Sequence, residues 1–311
     1  MSDDWHTLAN PDEIPSPALL IYPDRIEENI RRMISMAGSA DRLRPHVKTH
    51  KLGEIVQLQI KAGITRFKCA TIAEAEMLAQ AGARDVLLAN QLVGPNARRL
   101  AKLAGWFREV RFSTIADDAE AVGNLASAGQ EAGITLPVLL DLDGGMGRTG
   151  IPLGQAAVTL YKLIDQLPGV EPAGLHLYDG HLHDSDPAER LAKWETMMEQ
   201  LKSFRTDVEA AGLPVPAVLA LRVVSRSRVL GRRHGAAAYH VDPRRRLAES
   251  VGGVRLVIVR LLAPRYGGVG AHLTRACALH CCGRCNLVEL CKAACSPRAL
   301  SVQRSNKGVE H

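Results

Sequence analysis

The sequence predicts an α/β fold, a (β/α)8 TIM-like barrel, over residues 1–221 of a 311-residue chain. Three observations carry that prediction. Short apolar or β-branched runs alternate with stretches of helical periodicity in six units, and a seventh apolar run follows. Glycines fall at the joints, at Gly63, Gly82, Gly133 and Gly212, where the chain has to reverse. The alternation fits a doubly wound sheet as well as a barrel. The third observation favours the barrel: the unusual polar residues lie where the strands end, and barrel active sites occupy that face. These residues are Lys48, Thr71, Asn90, Asp141 to Arg148, and Tyr178 to His183.

Taken in order, Leu43–Lys48 reads as the first barrel strand and Lys51–Ala62 as its helix, with Leu52, Ile55, Val56 and Ile60 on one face. Arg66–Ala70 leads into Ile72–Ala81, which is rich in helix formers. Asp85–Asn90 leads into Asn96–Ala104, with Pro95 near the helix start. Glu109–Ser113 leads into Asp117–Ala128, opened by an acidic first turn. Leu136–Leu142 precedes the helix Gly154–Leu167, Ala173–Tyr178 precedes Pro187–Ala211, and Pro216–Leu221 is the seventh strand. Beyond residue 221 the rhythm fades. Val254–Leu262 still reads as a strand, interrupted by Arg255 and Arg260.

Charge and cysteine divide at the same place. Residues 1–221 hold 22 Lys+Arg against 29 Asp+Glu, whereas residues 222–311 hold 15 Arg, 2 Lys and 4 acidic residues. The net charge of +6 therefore describes the tail and not the barrel. Arg244-Arg245-Arg246 has no aromatic stacking platform beside it, so a nucleic-acid partner is not expected. No uncharged apolar stretch reaches the length of a membrane span, and no basic start with an apolar run marks a secretory signal. A cytoplasmic protein without a membrane partner is expected. Cys69 stands alone, and the other six cysteines lie between Cys277 and Cys295, with a single Cys-x-x-Cys and no standard zinc-knuckle spacing.

Three segments carry chemistry. In Arg44-Pro45-His46-Val47-Lys48-Thr49-His50-Lys51, two imidazoles and a second amine crowd Lys48, which lowers an ammonium pKa by desolvation and like charge. A lysine so tuned forms a Schiff base with a carbonyl; a solvated basic turn is the plain alternative. Asp141 to Gly150 reads Asp-Leu-Asp-Gly-Gly-Met-Gly-Arg-Thr-Gly, a glycine-rich loop with Arg148 as a permanent donor, although it lacks the spacing of the known phosphate loops. Gly174 to Asp184 holds His176, His181 and His183; His181-x-His183 with Asp184 is a weak metal pattern without a distant further ligand.

In order along residues 15–221, these segments resemble the D-threonine aldolase and D-serine dehydratase family, whose barrel is of the alanine racemase N-terminal type and uses pyridoxal 5′-phosphate. Residues 44–51 resemble its cofactor-lysine motif. Thr71-Ile72-Ala73-Glu74-Ala75-Glu76 is similar to its Thr-x-x-Glu-Ala-Glu segment. Gly145 to Gly150 resembles Gly-Met-x-Arg-x-Gly, Tyr178 to His181 resembles Tyr-x-Gly-His, and Ser16 to Ile21 fits the family's opening. The resemblance implies that Lys48 carries the cofactor, Arg148 bonds its phenolic oxygen and Tyr178 lines its pocket. It implies a lyase cleaving D-3-hydroxy amino acids such as D-threonine, with D-serine dehydration or cofactor binding without turnover as alternatives. It also implies a divalent metal of the manganese or zinc type, held by a His-x-Cys or His-x-Asp pair near the C-terminus, and a homodimer. Here the metal ligands are not identifiable, since only His280-x-Cys282 has the form and its neighbours do not match.

The family's Gly-rich phosphate segment after the seventh strand is missing. Arg222-Val223-Val224-Ser225-Arg226-Ser227-Arg228 stands there, so Ser225 and Ser227 with arginines would have to replace a backbone nest. With the change in composition, this points to a frame change near residue 221 in a GC-rich gene. Arg-Val-Val arises from codons that spell Gly-Gly in a neighbouring frame. Reading the gene beyond that codon is expected to show a Gly-rich loop and a His-x-Cys or His-x-Asp motif in another frame; finding neither overturns the idea.

Overall fold

The computed structural model describes residues 8, 10–15 and 18–221 and, beyond them, the backbone of two short strands. The chain forms two compact units, Met1–Glu27 with Leu256–His311, and Glu28–Arg255. β1 (Ala18–Leu20) lies in the first unit, and α1 (Pro23–Ala37) begins there. The second unit continues with β2 (Leu43–Arg44), α2 (Gly53–Lys61), β3 (Arg66–Cys69), α3 (Ile72–Gln80), β4 (Asp85–Leu88) and α4 (Asn96–Trp106). There follow β5 (Arg111–Ala116), α5 (Ala119–Ala132), β6 (Leu136–Asp143), the short β7 (Ile151–Pro152) and α6 (Gln155–Gln166). β8 (Val170–Leu177), α7 (Pro187–Ala210), β9 (Val218–Leu221) and β10 (Ala238–Val241) complete it. β11 (Val259–Leu261), in the first unit, pairs antiparallel with β1, Ala18 opposite Leu261.

The second unit is the expected barrel, incomplete at one place. The strands run in the order β2-β10-β9-β8-β6-β5-β4-β3. Beyond β2 the chain returns to β3 through a parallel bridge between His46 and Lys68, and Lys68 N–H donates to the Pro45 carbonyl at 2.9 Å. Every strand from β3 to β9 in this ring is parallel to its neighbour. The eighth place belongs to β10, antiparallel to both β9 and β2. An antiparallel neighbour needs no helical crossover. Of the tail, only these two strands are described; Ser225, Ser227, Arg244–Arg246, His280 and the cysteines Cys277 to Cys295 lie outside the described residues.

Local chemistry explains the boundaries. Thr71 and Asp118 accept from Glu74 N–H and Ala121 N–H, capping α3 and α5, and Gly133 ends α5 in the left-handed region. Two strands differ from expectation. Leu43–Lys48 shortens to Leu43–Arg44 because Pro45 has no N–H to continue the ladder, and Lys48 falls in a 3-10 turn, Val47–Thr49. Glu109–Ser113 moves to Arg111–Ala116 because Val110 N–H closes a turn on the Phe107 carbonyl. Arg44, read as part of the basic cluster around Lys48, instead makes a paired ion contact with Asp85 at 2.8 and 2.9 Å at the start of β4. Burial opposes ionisation of Asp85, yet Arg44, Arg111 and Arg66 hold its carboxyl below the usual range.

Leu87, Ile115, Leu139, Ala173 and Leu219 fill one layer of the lumen with apolar side chains. Ala173 and His176 both face the lumen, which strict alternation forbids for residues three apart. The register against β6 slips by one residue here: Val138 pairs with Pro172 and Leu139 with Gly174. Gly174 carries the slip. Its φ is 120°, and a Cβ there would stand 2.0 Å from the Ala217 carbonyl oxygen on the neighbouring strand segment. Gly174→Ala is expected to cost roughly 3 kcal/mol or more in urea unfolding, because both strain and backbone clash oppose it; a loss under about 1 kcal/mol would contradict this account.

Candidate active site

The layer above the apolar floor is charged. Lys68 on β3, Asp141 on β6 and His176 on β8 are all buried. Lys68 Nζ lies 2.7 Å from His176 Nε2, and His176 Nδ1 lies 2.6 Å from Asp141 Oδ1. Burial, opposed by Asp141 and aided by Lys48 and Arg44, lowers the Lys68 pKa to about 8. Burial and the Lys68 charge lower His176 as well.

Lys48 sits at the C-terminal mouth above this layer, exposed in the turn after β2. His46 Nδ1 accepts the Lys48 N–H at 3.2 Å, and Lys51 N–H closes the turn on the Val47 carbonyl at 2.8 Å. Lys51 takes a φ of 55°, a costly conformation for a residue with a Cβ. Glu74 holds it there: its Oε1 meets Lys51 Nζ at 3.3 Å, while Oε2 accepts the Ala70 N–H at 2.8 Å. The Thr-x-x-Glu segment is thus a cap on α3 that also clamps the lysine turn. Thr71 does not line the site. Burial and then the Arg148 charge lower the Lys48 pKa, against Glu74. Burial drives His46 to about 2, with Lys48 and Lys68 adding to it, and drives His50 to about 4.

Arg148 arrives on a loop folded around its own carboxylate. Asp143 Oδ1 accepts from the N–H groups of Gly145, Met146 and Gly147 at 2.9, 2.8 and 3.1 Å. Burial pushes Asp143 up, but these donors hold it below the usual carboxylate range. Gly150 N–H anchors the far end on Asp117 Oδ2 at 2.7 Å. The N–H groups of Gly145, Met146, Gly147 and Gly150 are therefore occupied, and the loop carries the Arg148 guanidinium beside them. That guanidinium lies 5.0 Å from the centre of the Tyr178 ring, within cation–π range. Tyr178 lies directly on Gly180, where a Cβ would stand 2.3 Å from the ring. The Tyr-x-Gly spacing has this physical cause.

The structure therefore gathers Lys48, Arg148 and Tyr178 at one mouth. His181 lies beside the same loop, 3.4 Å from where a Cβ of Gly145 would be, with Nδ1 buried and unpartnered. His50 Nε2 is likewise buried and unpartnered. Asn90 is exposed, and Asp184 pairs with Lys193. Among the described residues no group of three or more His, Cys, Asp or Glu side chains could hold a metal ion, and no helix is long and apolar enough to cross a membrane. Sequence reasoning missed Lys68 and the clamp by Glu74. The signal for Lys68 is a lysine between Phe67 and Cys69 in a strand buried on both faces.

The lowered Lys68 pKa has a consequence for stability. The folded protein binds fewer protons than the unfolded chain between about pH 8 and the ordinary lysine value of about 10.5, so stability rises with pH across that window. Relative to Lys68→Met, the wild type is expected to gain unfolding free energy from pH 8 to 10.5, measured by urea denaturation at each pH. Parallel curves would refute it.

Comparison with known proteins gives this geometry a family. The alanine racemase N-terminal domain family matches residues 21–221. The 3-hydroxy-D-aspartate aldolase of Paracoccus denitrificans (strain Pd 1222) is 32% identical over 205 residues, 65% of this chain and 52% of that protein. The D-threonine aldolase of Arthrobacter sp is 33% identical over 168 residues, 54% of this chain and 44% of that protein. The crystal structure of D-threonine aldolase from Filomicrobium marinum superposes with a TM-score of 0.61 at 33% identity, covering 66% of this chain and 55% of that one. This chain spans about half the length of the curated relatives it matches. With its barrel and its family match in agreement, the chain belongs to the alanine racemase N-terminal domain family.

Proposed function

We propose that this protein is a pyridoxal-phosphate-dependent lyase of the D-threonine aldolase type, cleaving D-threonine to glycine and acetaldehyde. One observation carries the reading: an exposed lysine with a lowered pKa shares the barrel mouth with an arginine lying over a tyrosine ring. Two orphaned buried imidazole nitrogens nearby, on His50 and His181, are what a site built for a polar occupant shows. Lys48 would hold the cofactor through Nζ, Arg148 would donate to its phenolic oxygen, and Tyr178 would line its ring. When bound, the cofactor supplies the electron sink for a bond broken at Cα.

The chain's own residues fix the rest. His46 and His50 bind no proton near neutral pH, which leaves the turn two amines, Lys48 Nζ and the Lys51 Nζ that is paired with Glu74. Glu74 and His46 hold the turn from opposite sides and keep Lys48 at the mouth. The Arg148 guanidinium lies over the Tyr178 ring, which orients it. In this proposal the family-like barrel sequence runs to residue 221, with β10 in the remaining place of the ring, and a homodimer and a cytoplasmic location accompany it. The family resemblance implies a divalent metal as well, but the described residues hold no set of ligands that fits one.

A dehydratase is the second reading, because the D-threo-3-hydroxyaspartate dehydratase of Delftia sp. (strain HT23) is 30% identical over 213 residues. Products separate the two: glycine with an aldehyde, or a keto acid with ammonia. Titrating the purified chain with pyridoxal phosphate is expected to give a near-visible absorbance band that Lys48→Ala abolishes. Activity on D-threonine, D-serine or D-3-hydroxyaspartate should fall at least about 10²-fold in the same variant. A band that persists without Lys48 removes its role.

A further inference from the structure

The end of the barrel away from the lysine turn carries a second polar cluster. Arg66, Asp85 and Arg111 stand in register, one on each of β3, β4 and β5. Neighbouring strands lie about 4.8 Å apart, so the two arginines flank the carboxylate from either side. Asp85 precedes Leu87 by two residues and Arg111 precedes Ile115 by four, which places both on the inward face that carries the apolar layer. Arg44 reaches the same place from β2 and takes both oxygens of Asp85, at 2.8 and 2.9 Å.

These four residues line a cavity of about 160 Å³, closed toward the mouth by Leu139, Ala173 and Leu219 of the apolar layer. A water takes about 30 Å³ in the liquid, so the space is larger than one bridging water needs. It is smaller than the roughly 300–1,000 Å³ of pockets that enclose drug-sized ligands. Arg111 is exposed, so the wall is reachable from solvent there.

Charge along this wall is unbalanced. Among the residues lining the cavity Asp85 is the one acid, against the three guanidiniums of Arg44, Arg66 and Arg111. The Arg44 side chain is only 4% exposed. It donates from Nη1 to Asp85 and the Phe67 carbonyl and from Nη2 to Asp85, yet its Nε is buried without a partner. Arg66 spends Nη1 on the Asp41 carbonyl at 2.9 Å. A buried donor on a cation is costly to leave without an acceptor, and here Asp85 is already committed. The occupant that matches small size, two excess positive charges and several guanidinium donors is a compact dianion with oxygens on every side.

We propose that the base of the barrel binds a free, doubly charged oxyanion of the phosphate or sulfate class, held by Arg44, Arg66 and Arg111. Such an ion would tie β2, β3 and β5 together at the end opposite the mouth. The inference is independent of the role given to Lys48.

Phosphorus-31 linewidths of inorganic phosphate, titrated with the full chain at an ionic strength fixed by sodium chloride, test it. The wild type is expected to broaden the line saturably, and Arg111→Gln and Arg66→Gln should each weaken that binding at least about 5-fold. Arg148→Gln, at the opposite end, should leave it unchanged. Adenosine monophosphate should displace the ion at least about 10-fold less effectively than sulfate does, because its body exceeds the cavity. No saturable broadening in the wild type overturns the inference, as does equal binding by Arg111→Gln and the wild type. Loss in Arg148→Gln alone places the ion at the mouth and overturns it too, and displacement by adenosine monophosphate as strong as by sulfate removes the free-ion assignment. If Arg66→Gln does not fold, the exposed Arg111→Gln decides.

Discussion

Where β2 meets β3, a proline stops one ladder and the next residue starts another. Pro45 cannot donate, so the strand breaks, yet its carbonyl still receives the Lys68 N–H and His46 bridges to Lys68. That contact closes the ring, and it decides which residues lie inside. It sets His46 beside Lys68, turns the chain sharply enough to lift Lys48 onto the mouth, and leaves Arg44 facing the other end. The first strand of an unbroken ladder would have carried Lys48 in regular alternation, without the turn that now presents it.

The two ends of the barrel consequently use charge in different ways. At the start of the strands, Arg44 and Asp85 form a fork-to-fork pair that ties β2 to β4. At the other end, Lys48 and Arg148 stand above a layer in which Lys68 and Asp141 are joined through His176. Lys48, Lys68 and Arg148 share that region, with Asp143 spent on its own loop and Glu74 on Lys51.

Much of the barrel was legible in the sequence because a parallel barrel repeats one physical unit. Apolar runs and helical stretches alternate along the chain with glycines at several joints, and six helices and five of the seven expected strands fall within a few residues of expectation. Glu109–Ser113 was misplaced because a turn at Phe107–Val110 carries the same apolar character as a strand. The candidate site residues stand out in sequence as polar residues at strand ends. Their supports do not. The clamp on Lys51 joins residues 51 and 74, and the lumen line joins 68, 141 and 176, and no local pattern reports contacts so far apart. The slip at Gly174 is invisible for the same reason, since it is dictated by the Ala217 carbonyl on another strand.

The loop around Asp143 also bears on how this mouth selects what enters it. A turn whose amides at Gly145, Met146 and Gly147 all point at an internal carboxylate has those three donors already committed. Beside them stands the Arg148 guanidinium, 5.0 Å from the centre of the Tyr178 ring. An oxygen approaching residues 145–147 therefore meets no free amide there, and the cation of the loop is its side chain.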